Sequence, residues 1–597
     1  MAVKPRTPLP SSALAKAKPG TSPTPSSEEI HNAGEVQDLF KRSRQALRRR
    51  HELWKKAYRM VHNRTWSVAR DPSMPSPSAS EVFPILAALV GWMSDQRTQF
   101  EVVPSVDPHS QYANFMQGLA KDLEVVLQSI FVTQTLDAQI ERVLWDSMIY
   151  GTGFFKCMWD PAEANGAGNA TMTRIDPFCI YPDPDATDDE DLNYIIEARR
   201  MTLAEIERRW PDKVSLLVNE SPTATDDLSE RDDPMSDTPT GPPMANIGPI
   251  SPATTRGYGL PGQGRITLTD TDAYTVLECW VKENCAYPDP EDPEAEPTIV
   301  PEWRVIVTVG SHVLMNEKAK DLWNHGRHPY VRFVMHDLGD FWGISLVDHL
   351  APAQLAINRL LAALQHHSEL CGNPVFMEDS RAGISRTKIV NKPGQRLQKN
   401  QGSEVSWLVP PDMPPGVSNL VTFWINEMER ISGLSAIVRG ATPTGRNAQG
   451  VLDSVQESAF VRVRLALRNL ERTMAKTGRL LANLVVENYT LPRTVAIAGE
   501  SGEKSMLALR GRHFYSPNSM GADPMDFSLY VLAGSSMPIS RTARAQEADT
   551  LFAMGAIDHQ AVLEAHDYPN RTDILQRVMA LQNLGVEVGA QGRNRQR

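Results

Sequence analysis

A glycine-rich loop is the first stretch of this sequence whose residue types and spacing could do chemistry. Gly440-Ala-Thr-Pro-Thr-Gly445 has the glycine spacing of a phosphate-binding loop. Such a loop needs a lysine that reaches the phosphates and a hydroxyl that binds the metal ion. Arg446 and Asn447 stand at those two positions, and the loop follows a predicted helix instead of a strand. We therefore do not expect this loop to bind ATP.

An acidic run from Asp183 to Asp191 could hold a hard cation through its carboxylate oxygens. Its spacing matches no EF-hand, and a solvated loop is the favoured interpretation. Neither histidine pair, His325 with His328 or His366 with His367, has a third ligand at a useful spacing. The sequence contains neither Gly-x-Ser-x-Gly nor His-Glu-x-x-His. We expect no metal site, no cofactor and no enzymatic activity.

The bulk composition narrows the class of protein further. The chain has 597 residues and a net charge of -11, so it is not as a whole a basic nucleic-acid-binding protein. No apolar run approaches the ~20 residues that span a bilayer, and the N-terminus lacks the apolar core of a secretory signal. Five scattered cysteines form no Cys-x-x-Cys pair, which favours a reducing cytoplasm.

Two local basic clusters stand out against this acidic background. The first, Lys41-Arg-Ser-Arg44 with Arg48-Arg-Arg50, lies on a helix predicted from Glu28 to about Asn63. A solvated helix face is favoured there over a binding patch. The second cluster could bind nucleic acid or an acidic protein surface, or could be solvated, and these alternatives stay open. Its members are Arg381, Arg386, Lys388, Lys392, Arg396 and Lys399.

Three predicted helices must position these loops. Apolar residues recur every three or four positions from Gln449 to Tyr489, which predicts one helix on the order of 60 Å long. A second helix, Ser345 to Leu370, is apolar on several sides and should have neighbours on more than one side; Pro352 should start or kink it. A compact insert, residues 371–417, separates it from a third helix at Asn419 to Ile431.

Short strands with turn signals fill much of the rest of the chain. Phe154 to Trp159 and Ala170 to Ile175 flank a glycine-containing turn, which predicts a hairpin. The strands do not alternate with helices as in βαβ units, so the fold class is α+β with an antiparallel or mixed sheet. Residues 1–27 are predicted to be disordered, and residues 221–265 to be a mobile insertion.

Several short motifs follow one another along the chain in a fixed order. They are Tyr150-Gly-Thr-Gly-Phe-Phe-Lys156, Asp176-Pro177, Tyr181-Pro-Asp-Pro-Asp-Ala-Thr187, Met201-Thr-Leu-Ala-Glu-Ile206, Trp342-Gly-Ile-Ser-Leu-Val347, Pro352-Ala-Gln-Leu-Ala-Ile-Asn358, Ile431-Ser-Gly-Leu-Ser435, Gly450-Val-Leu452 and Gln456-Glu-Ser458. The order of these motifs and of the predicted parts resembles that of the portal proteins of short-tailed bacteriophages, and the resemblance covers about residues 30–585.

The resemblance implies a portal fold with a mixed α/β wing, an α-helical stem, a small α/β clip, a long strut helix and a helical crown. The wing would comprise residues 28–344, including the insertion at 221–265, together with the long helix and strands of 451–535. The other parts would be a disordered tail at 1–27, stem helices at 345–370 and 417–434, the clip at 371–416, a tunnel loop at 435–450, and the crown and C-terminal tail at 536–597.

The same resemblance implies sites and partners. The tunnel-loop residues Arg439, Thr442, Thr444, Arg446 and Asn447 would face the DNA channel. The basic cluster of the clip would dock the terminase large subunit and later a tail adaptor. The stem residues Leu346, Leu350, Ile357, Leu360, Leu364, Phe423 and Trp424 would contact neighbouring subunits in the ring.

The implied function is a ring of twelve subunits at one capsid vertex, through which double-stranded DNA enters and leaves. The ring would contact the major capsid protein, belong to the virion, assemble in the host cytoplasm and need no membrane. An acidic chain suits a conduit, because a channel that neutralised many phosphates would hold the DNA tightly. The alternative is an intracellular coiled-coil scaffold, although the stripe from Leu346 to Leu364 lasts under three heptads.

Overall fold

The computed structural model describes most of the chain outside its N-terminal segment and several loops. The described residues are 27–65, 75–94, 98–104, 113–217, 273–287, 298–323, 325–372, 375–379, 400–402, 405–408, 412–414, 416–433, 448–489, 493–498, 504–509, 527–533, 541–566, 574 and 577. The predictions for residues 1–26 and for the insertion at 221–265 lie outside this set.

The helices within these ranges account for the larger share of the fold. They are α1 (Ser27–Val61), α2 (Val82–Ser94), α3 (Ala113–Thr133), α4 (Leu136–Tyr150), α5 (Glu163–Gly166), α6 (Leu203–Arg209), α7 (Val214–Leu217), α8 (Ala319–Leu322), α9 (Leu346–Gly372), α10 (Gly416–Ser432), α11 (Ala448–Asn488), α12 (Arg541–Ala553) and α13 (His559–Ala565). The long helix and the helices on either side of the insert therefore confirm the predictions made from apolar spacing.

The strands are short and pair over five sheets. They are β1 (Thr98–Pro104), β2 (Thr152–Asp160), β3 (Asn169–Ile175), β4 (Ile180–Pro182), β5 (Tyr194–Thr202), β6 (Ala273–Tyr287), β7 (Thr298–Val309), β8 (His312–Lys318), β9 (Tyr330–Val334), β10 (Val375–Glu378), β11 (Val405–Leu408), β12 (Arg493–Ala498), β13 (Lys504–Leu509) and β14 (Phe527–Ala533). Every pairing among the described strands is antiparallel, and the fold is α+β.

Two sheets form the body of the molecule. One has the order β3-β2-β9 and contains the predicted hairpin, and the other is a meander in the order β4-β5-β6-β7-β8. Their inward faces carry large apolar side chains such as Phe154, Phe333 and Trp280, all fully buried. The indole rings of Trp280 and Trp323 stack with centroids 5.5 Å apart. Burial of these aromatic side chains supplies much of the hydrophobic stabilisation of this region.

The strut α11 is held against a sheet whose two strands are far apart in sequence. β1 pairs with β14, with Phe100 opposite Val531. At Gly478 a Cβ atom would lie 2.8 Å from Cε1 of Phe100 and 2.9 Å from Cδ2 of Leu529. The missing side chain therefore lets the helix approach the sheet closely. The pattern of apolar residues within β1 and within β14 does not predict that these two strands pair.

A helical stalk leaves the body. The stalk consists of α9, the hairpin β10–β11 and α10, which packs against α9. Pro352 lies inside α9, so the helix begins before it. No helix among the described residues is long and apolar enough to cross a membrane.

Candidate functional site

The stalk divides into a root that is buried in the body and an outer half with exposed apolar side chains. Leu346, Leu350 and Ile357 are 7%, 0% and 1% exposed. The chain's own core already covers these three residues almost completely, and their contact with a neighbouring subunit stays a prediction. Apolar residues that recur with the helical period predict that one face of the helix is buried. They do not predict whether the same chain or a neighbouring subunit buries that face.

Farther along the stalk the apolar side chains keep free surface. Leu360 and Leu364 of α9 and Trp424 of α10 are half-buried, whereas Leu420 and Phe423 of α10 are 47% and 55% exposed. The rings of Phe423 and Trp424 meet edge to face with centroids 5.5 Å apart. An exposed apolar surface on a rigid helix pair is typical of a protein contact site.

The root of the stalk is fixed where two of the sequence motifs meet. The Thr152 hydroxyl donates to the carbonyl of Trp342, and the Ser345 hydroxyl lies 3.0 and 2.8 Å from the carbonyl oxygens of Met148 and Ile149. Gly151 has φ +91°, and a Cβ there would lie 2.6 Å from the Trp342 carbonyl oxygen. This left-handed backbone and close approach require glycine. The first residues of α9 are therefore anchored to the end of α4 and the start of β2.

Two buried amides tie α9 to the chain segment before α2. The backbone N–H of Glu81 donates to Oε1 of Gln354 at 3.0 Å, and that of Ala79 donates to Oδ1 of Asn358 at 3.2 Å. Nδ2 of Asn358 donates to the Thr65 hydroxyl at 2.8 Å. Buried amides that satisfy backbone groups in this way specify a single packing geometry, since each lost bond leaves a buried polar group unpaired. The stalk therefore leaves the body at a defined angle.

Two carboxylates of the acidic run, Asp188 and Asp189, form ion pairs with the body of the protein and with the strut helix α11. Arg332 of β9 lies 2.6 Å from Asp188 and 3.3 Å from Asp189, and Lys476 of α11 lies 3.3 Å from Asp189. Burial raises the pKa of Asp189 in spite of both cations. The described residues contain no group of three or more acidic, histidine or cysteine side chains that could hold a metal ion. The carboxylates are thus partners of cations from other elements, which the sequence did not reveal.

A second charge network lies between the two main sheets. Nζ of Lys156 on β2 lies 2.5 Å from Oε2 of Glu197 on β5 and 2.7 Å from Oε2 of Glu278 on β6. The Tyr330 hydroxyl lies 2.9 Å from Oε2 of Glu197 and 3.0 Å from Oε1 of Glu278, and its single proton is donated to one of these carboxylates at a time. Burial acts to lower the pKa of Lys156, but the two carboxylates outweigh it and raise that pKa. The buried lysine stays charged, and the network joins the sheets instead of presenting a reactive group to solvent.

A buried histidine lies in an aromatic cluster beside the root of the stalk. The ring of His51 on α1 lies 5.3 Å from that of Trp54 and 5.2 Å from that of Phe178. Its Nε2 is buried and has no hydrogen-bond partner within the described part of the chain. Burial, and then the positive charges of Lys55 and Arg44, lower the pKa of His51 to about 4. The imidazole is therefore neutral at pH 7.

Two sets of predicted site residues lie outside the described residues. They are the tunnel-loop residues Arg439, Thr442, Thr444, Arg446 and Asn447, and the clip residues Arg381, Arg386, Lys388, Lys392, Arg396 and Lys399. The helices that bracket the tunnel loop, α10 and α11, are both described.

Comparison with known proteins gives one family. The profile of the phage P22-like portal protein family matches residues 37–594, which includes the body, the stalk and the strut. A search of curated proteins finds no match to this chain. Because the match spans nearly the whole sequence, the chain belongs to the phage P22-like portal protein family.

Proposed function

We propose that the chain is one subunit of a closed twelve-fold ring at a single capsid vertex, where the ring is the conduit for DNA packaging and ejection. The single observation that carries this proposal is the family match over residues 37–594. The ring contacts the major capsid protein, and its clip docks the terminase large subunit and then a tail adaptor. The ring is part of the virion and assembles in the host cytoplasm.

The exposed half of the stalk supports this assembly. In a closed ring each subunit meets two neighbours through two different faces, so a stem helix needs apolar surface that its own chain does not cover. Leu420 and Phe423 provide that surface, and Leu360, Leu364 and Trp424 extend it. The anchored root gives every copy of the stalk the same orientation, which a symmetric ring requires.

The burial of the stalk root argues against the coiled-coil scaffold. A coiled coil needs the apolar positions of a whole stripe to be available to a second helix. Leu350 and Ile357 are instead packed inside their own chain. The remaining exposed stripe is too short for a stable two-helix coil, whereas a ring adds further contacts from the body.

The tunnel loop and the clip complete the proposed conduit. Arg439 and Arg446, on the loop between α10 and α11, touch phosphates transiently, with Thr442, Thr444 and Asn447 beside them. The net charge of -11 keeps affinity for the duplex low, because few phosphates are neutralised at once. The six cations of the clip attract an acidic surface of the docking partner.

Native mass spectrometry of the purified full chain, alone and with its terminase or adaptor partner, tests the proposal. We expect a single large ring of twelve copies. A protein that stays monomeric or dimeric at micromolar concentration in both conditions would contradict the proposal.

A further inference from the structure

The C-terminal half of α1 carries a strongly basic surface that the conduit function does not use. From Lys41 onward most of the exposed positions of this helix are polar, and five of the nine are lysine or arginine. The exposed residues are Lys41, Arg42, Gln45, Ala46, Arg48, Arg49, Glu52, Leu53 and Lys56. Among them only Glu52 is acidic. We call this set the α1 basic face.

Part of this charge is neutralised within the chain and part is not. Arg42 lies 2.5 Å from Asp185, and Lys41 lies 3.2 Å from Asp38. In contrast, Arg48, Arg49 and Lys56 have no hydrogen-bond or ion-pair partner among the residues that the structure describes. Their side chains are exposed, and at 3.6 residues per turn they lie within about 100° of one another around the helix axis.

A favourable interaction with the helix dipole does not account for these cations. That effect is confined to the last turn of a helix, where α1 carries Arg59. Arg48 and Arg49 lie three turns before the end of the helix. The opposite face is fixed in the core by Leu47, Trp54 and Ala57, which are buried. The three cations are therefore held on a rigid scaffold and together span about 12 Å along the axis.

The chemistry of the face decides between two kinds of anionic partner. A stable protein partner needs an apolar centre that excludes water from the contact. Leu53 is the one large apolar side chain on the face. A row of arginine and lysine side chains with little apolar surface instead fits phosphates, which accept hydrogen bonds from both and need no apolar contact.

We infer that the α1 basic face binds the phosphate backbone of duplex DNA without sequence preference, through residues other than those of the tunnel loop. Contact with phosphates is local, because charges beyond a Debye length of about 8 Å at physiological salt are screened. The net negative charge of the whole chain therefore does not prevent it. This inference adds a second DNA contact to the proposed conduit and does not depend on ring formation.

Fluorescence anisotropy with a labelled duplex of random sequence, measured over a series of NaCl concentrations, tests the inference on the full chain. The test variant is R48Q/R49Q/K56Q. The control is K121Q/R142Q/R479Q, which removes three exposed cations from α3, α4 and α11 and changes the net charge equally. Circular dichroism checks that both variants fold, and native mass spectrometry records their oligomeric state.

We expect the test variant to lose about two to three units of the slope of log K against log salt, since each phosphate contact contributes about 0.9. At ~0.1 M salt its affinity should fall at least about tenfold, and the control should fall much less. Equal losses in the two variants, or no loss in the test variant, would overturn the inference. Tighter binding of polyglutamate than of DNA through the same three residues would overturn it too, in favour of an acidic protein partner. If native mass spectrometry shows no rings, the proposed conduit function is contradicted, but the difference in DNA affinity between the test and control variants still tests the present inference.

Discussion

The exposed half of the stalk allows assembly to be separated from folding. Replacing Leu420 and Phe423 with serine removes apolar surface that is about half exposed in one chain. Full burial of such a side chain stabilises by about 1.5–3 kcal/mol, so covering the exposed part of both contributes about 2 kcal/mol at each subunit contact. Each contact in the ring should then weaken about 30-fold, since 1.4 kcal/mol corresponds to a factor of ten.

The control for this change lies in the buried half of the same helix pair. Ile357→Ala removes a side chain that is 1% exposed, and such a truncation costs about 2–5 kcal/mol of folding stability. We expect L420S/F423S to lose rings in native mass spectrometry while the monomer stays folded, with a smaller fall in melting temperature than Ile357→Ala causes, because only about half of each side chain is covered in the monomer. We expect Ile357→Ala to lower the melting temperature. If L420S/F423S still forms complete rings, or lowers the melting temperature as Ile357→Ala does, the division of the stalk is refuted.

Three further changes test other parts of the account. Gly478→Ala should lower the free energy of unfolding in denaturant titration by about 1–3 kcal/mol, because the added Cβ would meet Phe100 and Leu529. The control Gly91→Ala on α2 has open space around the added Cβ and should be neutral or stabilising, so equal effects of the two changes would contradict close packing at Gly478. His51 has a pKa of about 4 in the folded protein and 6.5 as its unperturbed value, so the unfolded chain binds more protons and stability should fall as pH drops from 6.5 to 4. His51→Phe should remove about 3 kcal/mol of that fall, and an unchanged pH profile of unfolding would be inconsistent with a buried neutral imidazole. R439A/R446A should form normal rings and package less DNA in an assembly assay; loss of rings would instead mean that the tunnel loop is structural.

Helices were the part of the fold that the sequence predicted best. The helices predicted from Ser345 to Leu370 and from Asn419 to Ile431 are α9 (Leu346–Gly372) and α10 (Gly416–Ser432), and the one predicted from Gln449 to Tyr489 is α11 (Ala448–Asn488). These segments repeat an apolar face every three or four residues, and that signal is contained within the segment itself.

Pairings between distant segments could not be predicted in the same way. β1 and β14 are separated by more than 400 residues, and nothing in either strand identifies its partner. The contacts of Asp189 with Arg332 and Lys476 likewise bring together three elements that are far apart in sequence. A cluster of acidic residues looks the same in a sequence whether water or arginine surrounds it.

Burial by the chain itself and burial by a neighbour also give the same sequence pattern. Leu350 and Leu364 belong to one apolar stripe of α9, yet Leu350 is buried in the body and Leu364 keeps exposed surface. Only the positions of α1, α2 and α4 around the root of the stalk distinguish the two. For this reason an apolar stripe alone does not separate the residues that the chain covers itself from those that are left for a neighbouring subunit.

The central claim is that this protein forms the closed ring at the DNA-entry vertex, and an asymmetric cryo-electron microscopy reconstruction of the intact virion tests it most directly. The account predicts one twelve-fold ring of this chain at a single vertex, with the stalks packed side by side around a DNA-filled axis. Density for this chain at every vertex, elsewhere in the shell, or in a form without a central channel would contradict it.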